Sequence, residues 1–275
     1  MATPSTPQPA SPPRRTRPIR RVLLAIGVIV LLVIAVLGIG IAEMFVGLRP
    51  VEDGRVVNGI RIVADGFTTM AVVPSGPQEV VLIDAGMDQT GAALLAELTR
   101  RGIGADAVKA VFLTHGHGDH IGAIRMLPGA EVAAMAAEAP IAEGRESPAS
   151  PMGRLMPASP TGITVTRPLR DGESVTIGTA TIRAYAVPGH TAGSAAYVVN
   201  DVLFMGDSAQ INSEGALRAA PWLVTDDRAQ NRASLARLQQ RLTEDGVRIA
   251  AIVPAHSGVA DSGEALAAFA RASAQ

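Results

Sequence analysis

The chain has 275 residues, with 24 basic and 25 acidic side chains for a net charge of −1, five histidines and no cysteine. Without cysteine there is no disulfide scaffold, Cys-ligated zinc finger, iron–sulfur cluster or thiol nucleophile. The near-neutral charge and 3% aromatic content argue against a nucleic-acid partner, which asks for a basic footprint and rings on which bases stack.

Residues 1–21 are rich in Pro, Ser, Thr and Arg, lack apolar periodicity and read as a disordered tail. Residues 22–42 are an unbroken run of 21 apolar or glycine residues. As a helix this run is about 31 Å long, matching the hydrocarbon core of a bilayer, so it reads as a transmembrane helix or signal anchor. The tail holds Arg14, Arg15, Arg17, Arg20 and Arg21 and no acid, which predicts a cytoplasmic N-terminus and an extracytoplasmic body. The alternative is secretion after cleavage of a signal peptide near Ala42, against which the run is longer than a usual signal core of roughly 7–15 residues. The remaining chain carries 19 basic and 25 acidic residues, the −6 of an ordinary mildly acidic domain.

Residues 43–54 read as a linker and 55–275 as a single domain. Strands are predicted at 55–64, 68–73 and 80–83, a helix at 90–101 and a buried strand at 108–113. Residues 142–162, rich in Pro, Ser, Gly and Met, read as a loop over one face. Strands return at 163–166, 174–177, 181–186, 195–199 and 202–204. A helix at 226–242, with Thr225 as its expected N-cap, precedes a buried strand at 249–253 and a closing helix at 262–271. This succession predicts two packed sheets with helices outside.

All five histidines sit beside predicted strand ends. His115 and His117 are two apart in extended chain and leave on the same side. Asp119 and His120 are expected at the start of the next helix, so a strand–loop–helix turn can bring all four side chains to one point. Imidazole and carboxylate suit zinc, manganese or iron. Three His and one Asp within six residues exceed what one zinc uses locally and suggest ligands shared between two metals. His190 lies in a turn between strands, His256 directly after a buried strand, and Asp207 at another strand end, where sites are commonly built.

From these motifs the sequence resembles the metallo-β-lactamase-fold hydrolases: His115-x-His117-x-Asp119-His120, Pro188-Gly189-His190-Thr191, Gly206-Asp207 and the late His256, in that order over residues 55–272. The resemblance implies an αββα four-layer sandwich with a metal site between the sheet edges. It implies that His115, His117 and His190 hold one metal, that Asp119, His120 and His256 hold a second, and that Asp207 bridges them. Asp84 matches a strand-end aspartate that orients the ligands from behind. Asp119 is also a proton acceptor in this reading.

The expected activity is that of a membrane-anchored, dinuclear hydrolase with two Zn2+ ions, manganese or iron being the alternatives. It would cleave a small ester, lactone, thioester or amide by attack of a metal-bridging hydroxide. Only 19 residues follow His256, too few for the helical domain of glyoxalase II enzymes, and the single lysine, Lys109, does not suit a tRNA-processing nuclease. Asp207-Ser208-Ala209-Gln210 lacks the tyrosine that many signal-lactone lactonases place after the bridging aspartate. A His/Asp-only metallo-β-lactamase, a mononuclear iron oxidoreductase of the persulfide dioxygenase kind, and a catalytically silent metal-binding module are the alternatives. Trp222, Met152 and Met156 read as packing residues, although the 142–162 and 209–224 stretches would flank the pocket in this fold.

Overall fold

The computed structural model of the protein describes residues 17–273, so the tail before residue 17 lies outside the described residues. They divide into two units, one ending at Ala42 and the other comprising Glu43–Gln275. The first unit is most of helix α1 (Arg17–Phe45), in which Arg21–Phe45 is long and apolar enough to cross a membrane.

In the second unit the first sheet has seven strands in chain order: β1 (Val56–Val57), β2 (Ile60–Asp65), β3 (Thr68–Gly76), β4 (Glu79–Ile83), β5 (Val108–Phe112), β6 (Glu131–Met135) and β7 (Arg167–Leu169). Antiparallel pairing runs through β4, and β4 to β7 are parallel. The second sheet contains β8 (Ser174–Ile177), β9 (Ala180–Ala186), β10 (Ala195–Val199) and β11 (Val202–Gly206). A ribbon of β12 (Ala209–Ile211) and β13 (Leu217–Ala219) follows. β14 (Ala251–Pro254) then completes the second sheet parallel to β11.

Each central strand is buried on both faces, which is why it reads as a continuous apolar run rather than an alternating one. Val81 and Ile83 of β4, Ala110 and Phe112 of β5, and Val202 and Phe204 of β11 meet in the core between the sheets. Their neighbours Leu82 and Val111 point outward onto Leu94 and Leu98 of helix α2 (Ala92–Arg100). Leu203 and Met205 point outward onto Leu235, Leu238 and Leu242 of α4 (Arg228–Glu244) and Leu266 of α5 (Glu264–Ser273), which follow the short helix α3 (Ala139–Ala142). Helix, sheet, sheet, helix is the αββα sandwich.

Several local expectations are corrected. The run 55–64 is a hairpin, because Asn58 and Gly59 both take positive φ and turn β1 into β2. No strand forms at 163–166; pairing begins at Arg167, where β7 meets β6. The N-cap of α4 is Asp227, whose side chain accepts from the Gln230 amide, while Thr225 donates its hydroxyl to the Pro221 carbonyl. Asp119 and His120 stand in a turn ahead of a 3₁₀ segment at Gly122–Met126 rather than at the start of an α-helix.

Residues 43–54, expected as a linker, belong to the second unit and contact the rest of it. Glu43 accepts from the Trp222 amide at 3.1 Å and pairs with Arg228, Gln210 donates to the Met44 carbonyl at 3.2 Å, and Leu48 bridges to Asn212.

Candidate metal centre

The parallel strands β4, β5, β11 and β14 end on one edge of the sandwich, and the residues that follow them are Asp84, the 113–120 turn, Asp207 and His256. His190 arrives from the β9–β10 connection. Close backbone approach is required for this convergence. A Cβ on Gly116 would stand 2.5 Å from the Ala142 nitrogen, and one on Gly206 would stand 2.3 Å from the Thr114 hydroxyl.

His115, His117, His190 and Asp207 form one group whose donor atoms all lie within 4.8 Å of one another. His190 Nε2 is 3.2 Å from both His115 Nε2 and His117 Nδ1. The Thr225 hydroxyl, already donating to Pro221, accepts from His190 Nδ1 at 3.4 Å and so leaves Nε2 free of a proton. Thr114 Oγ1 does the same for His115 Nδ1 at 3.2 Å.

Asp119, His120, Asp207 and His256 form the second group under the same limit. Asp207 Oδ2 is 3.0 Å from His256 Nε2, and Asp207 Oδ1 is 3.2 Å from His120 Nε2. His256 donates through Nδ1 to the Phe67 carbonyl at 2.8 Å and stacks on the Phe67 ring. All seven residues expected as ligands are therefore brought together, and Asp207 is common to both groups.

Behind them stands Asp84, buried and held at φ 57°, a left-handed conformation that aspartate and asparagine tolerate better than other residues with a Cβ. Its carboxylate accepts from the Thr114 amide and hydroxyl, each at 2.7 Å, and from His120 Nδ1 at 2.8 Å. His120 Nε2 is thereby aimed at Asp207. A second buried carboxylate, Glu138, accepts from the Gly116 amide at 2.7 Å, the Thr191 hydroxyl at 2.7 Å and the Gly193 amide at 2.9 Å. One side chain thus ties the His115–His117 turn to the His190 turn. Burial pushes its carboxyl up to about 7 despite these three donors.

The electrostatics divide the groups. Burial holds His190 down to about 3 and His115 well below the ordinary imidazole value, with neighbouring histidines adding to the effect. His117 is lowered as well, chiefly by burial. In the second group burial also opposes charge, but Asp207 and Asp119 raise His256 to about 10, and Asp207, Asp84 and Asp119 hold His120 well above its usual value. Burial would raise Asp207, yet His256 and His120 keep it well below the carboxylate range.

The donor set fits divalent cations. Imidazole nitrogens 3.2 Å apart with their protons directed elsewhere have no bond to make with each other. That spacing is close to the roughly 3.3 Å edge of a tetrahedron with zinc–nitrogen bonds of about 2.0 Å. Buried His120 Nε2 and Asp207 Oδ1 lie 3.2 Å apart in a geometry that makes no hydrogen bond, and neither has another partner, a cost that a cation between them would remove.

A cleft of about 300 Å3 opens over His117, Asp119, Asp207 and His256. Its walls are Met44, Phe45, Phe67, Met152, Met156 and Val224, so the two loop methionines, expected as packing residues, line the cleft. Sequence reading also missed Glu138, one carboxylate among 25 acidic residues with no motif around it. Met44 and Phe45 were hidden in the expected linker, and only their place after an apolar helix distinguished them.

Comparison with known proteins places the family and the fold. The family profile for the metallo-beta-lactamase superfamily matches residues 64–256. A stretch of 52 residues is 50% identical to a probable metallo-hydrolase, YflN, of Bacillus subtilis (strain 168); it covers 19% of this chain and 20% of that protein, so the chain spans a fifth of this curated relative's length. Among solved structures, a B3 metallo-β-lactamase with an active-site glutamic acid aligns with a TM-score of 0.62 at 22% identity, covering 86% of this chain and 91% of that one. BJP-1, a subclass B3 enzyme of Bradyrhizobium japonicum, gives 0.61 at 20% identity over 83% and 92% of the two chains. MIM-1 of Novosphingobium pentaromativorans gives 0.61 at 23% identity over 83% and 89%. At these identities the structural likeness establishes the fold. With the family profile spanning every strand-end histidine and aspartate of the site, the chain belongs to the metallo-β-lactamase superfamily.

Proposed function

We propose that the protein is a membrane-anchored, dinuclear zinc hydrolase that cleaves a small ester, lactone, thioester or amide. The observation that carries this reading is Asp207, a single carboxylate belonging to both groups of convergent donors. His115, His117 and His190 would hold the first cation and Asp119, His120 and His256 the second, with Asp207 between them. Such cations, zinc by preference and manganese or iron otherwise, supply acidified water and Lewis-acid polarisation of the scissile carbonyl.

The chain's own residues do the rest. Asp119, whose side chain is 21% exposed at the cleft floor, accepts the proton given up as water attacks. The apolar walls exclude bulk water, and Asp84 holds His120 in the tautomer that points inward. Residues 22–42 anchor the chain, with the arginine-rich flank cytoplasmic and the site outside.

The test is elemental analysis of the purified full chain, together with a hydrolytic panel of esters, lactones, thioesters and β-lactams. Two zinc ions per chain and turnover of one class are expected, both lost in His115→Ala. Full metal content and full activity in His115→Ala would overturn the reading, and one iron with no zinc would favour a mononuclear oxidoreductase instead.

A further inference from the structure

The cleft walls say more about the substrate than the metal-ligand set does. Above the four polar residues of the floor, the described residues lining the cleft include no lysine or arginine. An anionic head group would find no basic side chain there. Apart from Ser150 and Gln210 the remaining lining side chains are apolar: Phe45 and Phe67 meet edge to face with centroids 6.0 Å apart, and Met44, Met152 and Met156 line the same cleft. Methionine is unbranched and polarizable, and it suits ligands whose own chains adopt many shapes.

The rim is apolar as well. Leu155 is 83% exposed, Val46 64%, Met156 61% and Phe45 50%. Of these, Phe45 and Met156 line the cleft, and Val46 and Leu155 are their chain neighbours; exposed apolar side chains grouped beside a pocket mark a surface that meets lipid, ligand or protein. Chain connectivity decides among these. Met44 stands two residues beyond Ala42, the last residue of the apolar run, so whatever the orientation of that segment the cleft wall lies within about 7 Å of its end. The wall is also fixed in place by the Glu43, Met44 and Leu48 contacts to Trp222, Arg228, Gln210 and Asn212.

We propose that the substrate is a neutral single-chain amphiphile, an acyl ester, lactone or amide that reaches the cleft from the bilayer surface with its alkyl chain between Met44–Phe45 and Met152–Met156. This rests on the hydrolase and anchor readings above. A volume of about 300 Å3 is at the small end for ligand sites, which suits one chain rather than two. In the reaction the oxygen of water bonds to the acyl carbon, the bond from that carbon to oxygen or nitrogen breaks, and a carboxylic acid leaves with an alcohol or amine.

The experiment uses the metal-loaded full chain in nanodiscs and a series of p-nitrophenyl esters from acetyl to decanoyl. The expected kcat/KM rises about threefold per methylene through the middle of the series, mainly through KM. Phe45→Ser and the double variant Met152→Ser/Met156→Ser each lower the decanoyl-to-acetyl ratio about tenfold. A flat or falling series, or a ratio unchanged in both variants, overturns the proposal while leaving the hydrolase reading intact.

A readout without turnover separates the two. Trp222, the single tryptophan, lies between the cleft residues Pro221 and Val224. Its emission in the metal-free full chain should be quenched by the methyl ester of doxyl-labelled stearic acid and restored by excess methyl palmitate. If neither the ester series nor the wider hydrolytic panel is turned over, the hydrolase reading fails, and the chain-binding cleft stands or falls on this quenching.

Discussion

The carboxylate of Glu138, itself wholly buried, accepts the amide of Gly116 at 2.7 Å, and Gly116 is the residue between His115 and His117. Its other oxygen accepts from Thr191 and Gly193, on either side of the turn that follows His190. The geometry of three histidines therefore depends on a residue that hydrogen-bonds to none of them.

Glu138→Gln presents an NH2 group to donors and leaves at least one of them unpaired. Metal affinity should fall about 10- to 100-fold, the usual effect of disturbing the partners of ligands, with a stability loss of about 2 kcal/mol. Chelator competition and thermal melts measure both. Unchanged affinity would show that the two turns hold their shape without it.

The two donor groups should take up metal with different pH dependence. His190, His115 and His117 are neutral at pH 7 without metal, so a cation there displaces no proton. His256, raised to about 10, and His120 are protonated, so a cation in their group must displace about two protons. The second equivalent of zinc should weaken as pH falls, while the first is less affected. Calorimetry in buffers of different ionisation enthalpy counts the protons; equal release for both equivalents would contradict the division.

Asp84→Asn keeps a residue type that tolerates positive φ but replaces an acceptor of three hydrogen bonds. The expected result is a folded protein with one zinc held normally and the other weakened about 10- to 100-fold. Asp84→Ala adds roughly 1–2 kcal/mol of backbone strain and should melt lower than the Asn variant. Stoichiometry by elemental analysis after dialysis tells the two effects apart.

Away from the site, Glu97 is buried on α2 among Arg61, Arg100 and Arg101, at 2.8, 2.8 and 2.6 Å. Burial opposes its charge, yet the arginines hold its carboxyl down to about 2 against an ordinary 4.5. A depressed carboxyl stabilises the fold above its unfolded value, and that contribution disappears as pH falls toward 2. Glu97→Gln should cost about 2 kcal/mol at pH 7, since the arginines are partly exposed. The melting temperatures of the two proteins should converge as pH drops from about 4.5 to about 2.

The parts of this molecule that could be read from sequence are those where local chemistry and global position coincide. β4, β5, β11 and β14 are apolar runs because both faces are buried, and the histidines stand out because few other roles suit them at strand ends. β6 was not foreseen: Glu131-Val-Ala-Ala-Met has little intrinsic strand preference and becomes a strand through pairing with β5 and β7 on its two edges. The Asn58-Gly59 turn inside 55–64 and the Asp227 cap with Gln230 three residues on were both present as local patterns, and longer apolar readings overrode them. Glu138 is different in kind, because its importance comes entirely from which two turns lie beside it in space.

Glu43 follows directly after the apolar run, and its contacts to Trp222 and Arg228 seat it on the catalytic body. A protease cutting after Ala42 would therefore remove the span and leave Met44 and Phe45 docked where they are. On the proposed anchor and hydrolase reading, tethered and shed forms would keep the same convergent histidines and aspartates and differ only in which pool of molecules they sample, so a single peptide bond would change the clientele without altering the chemistry.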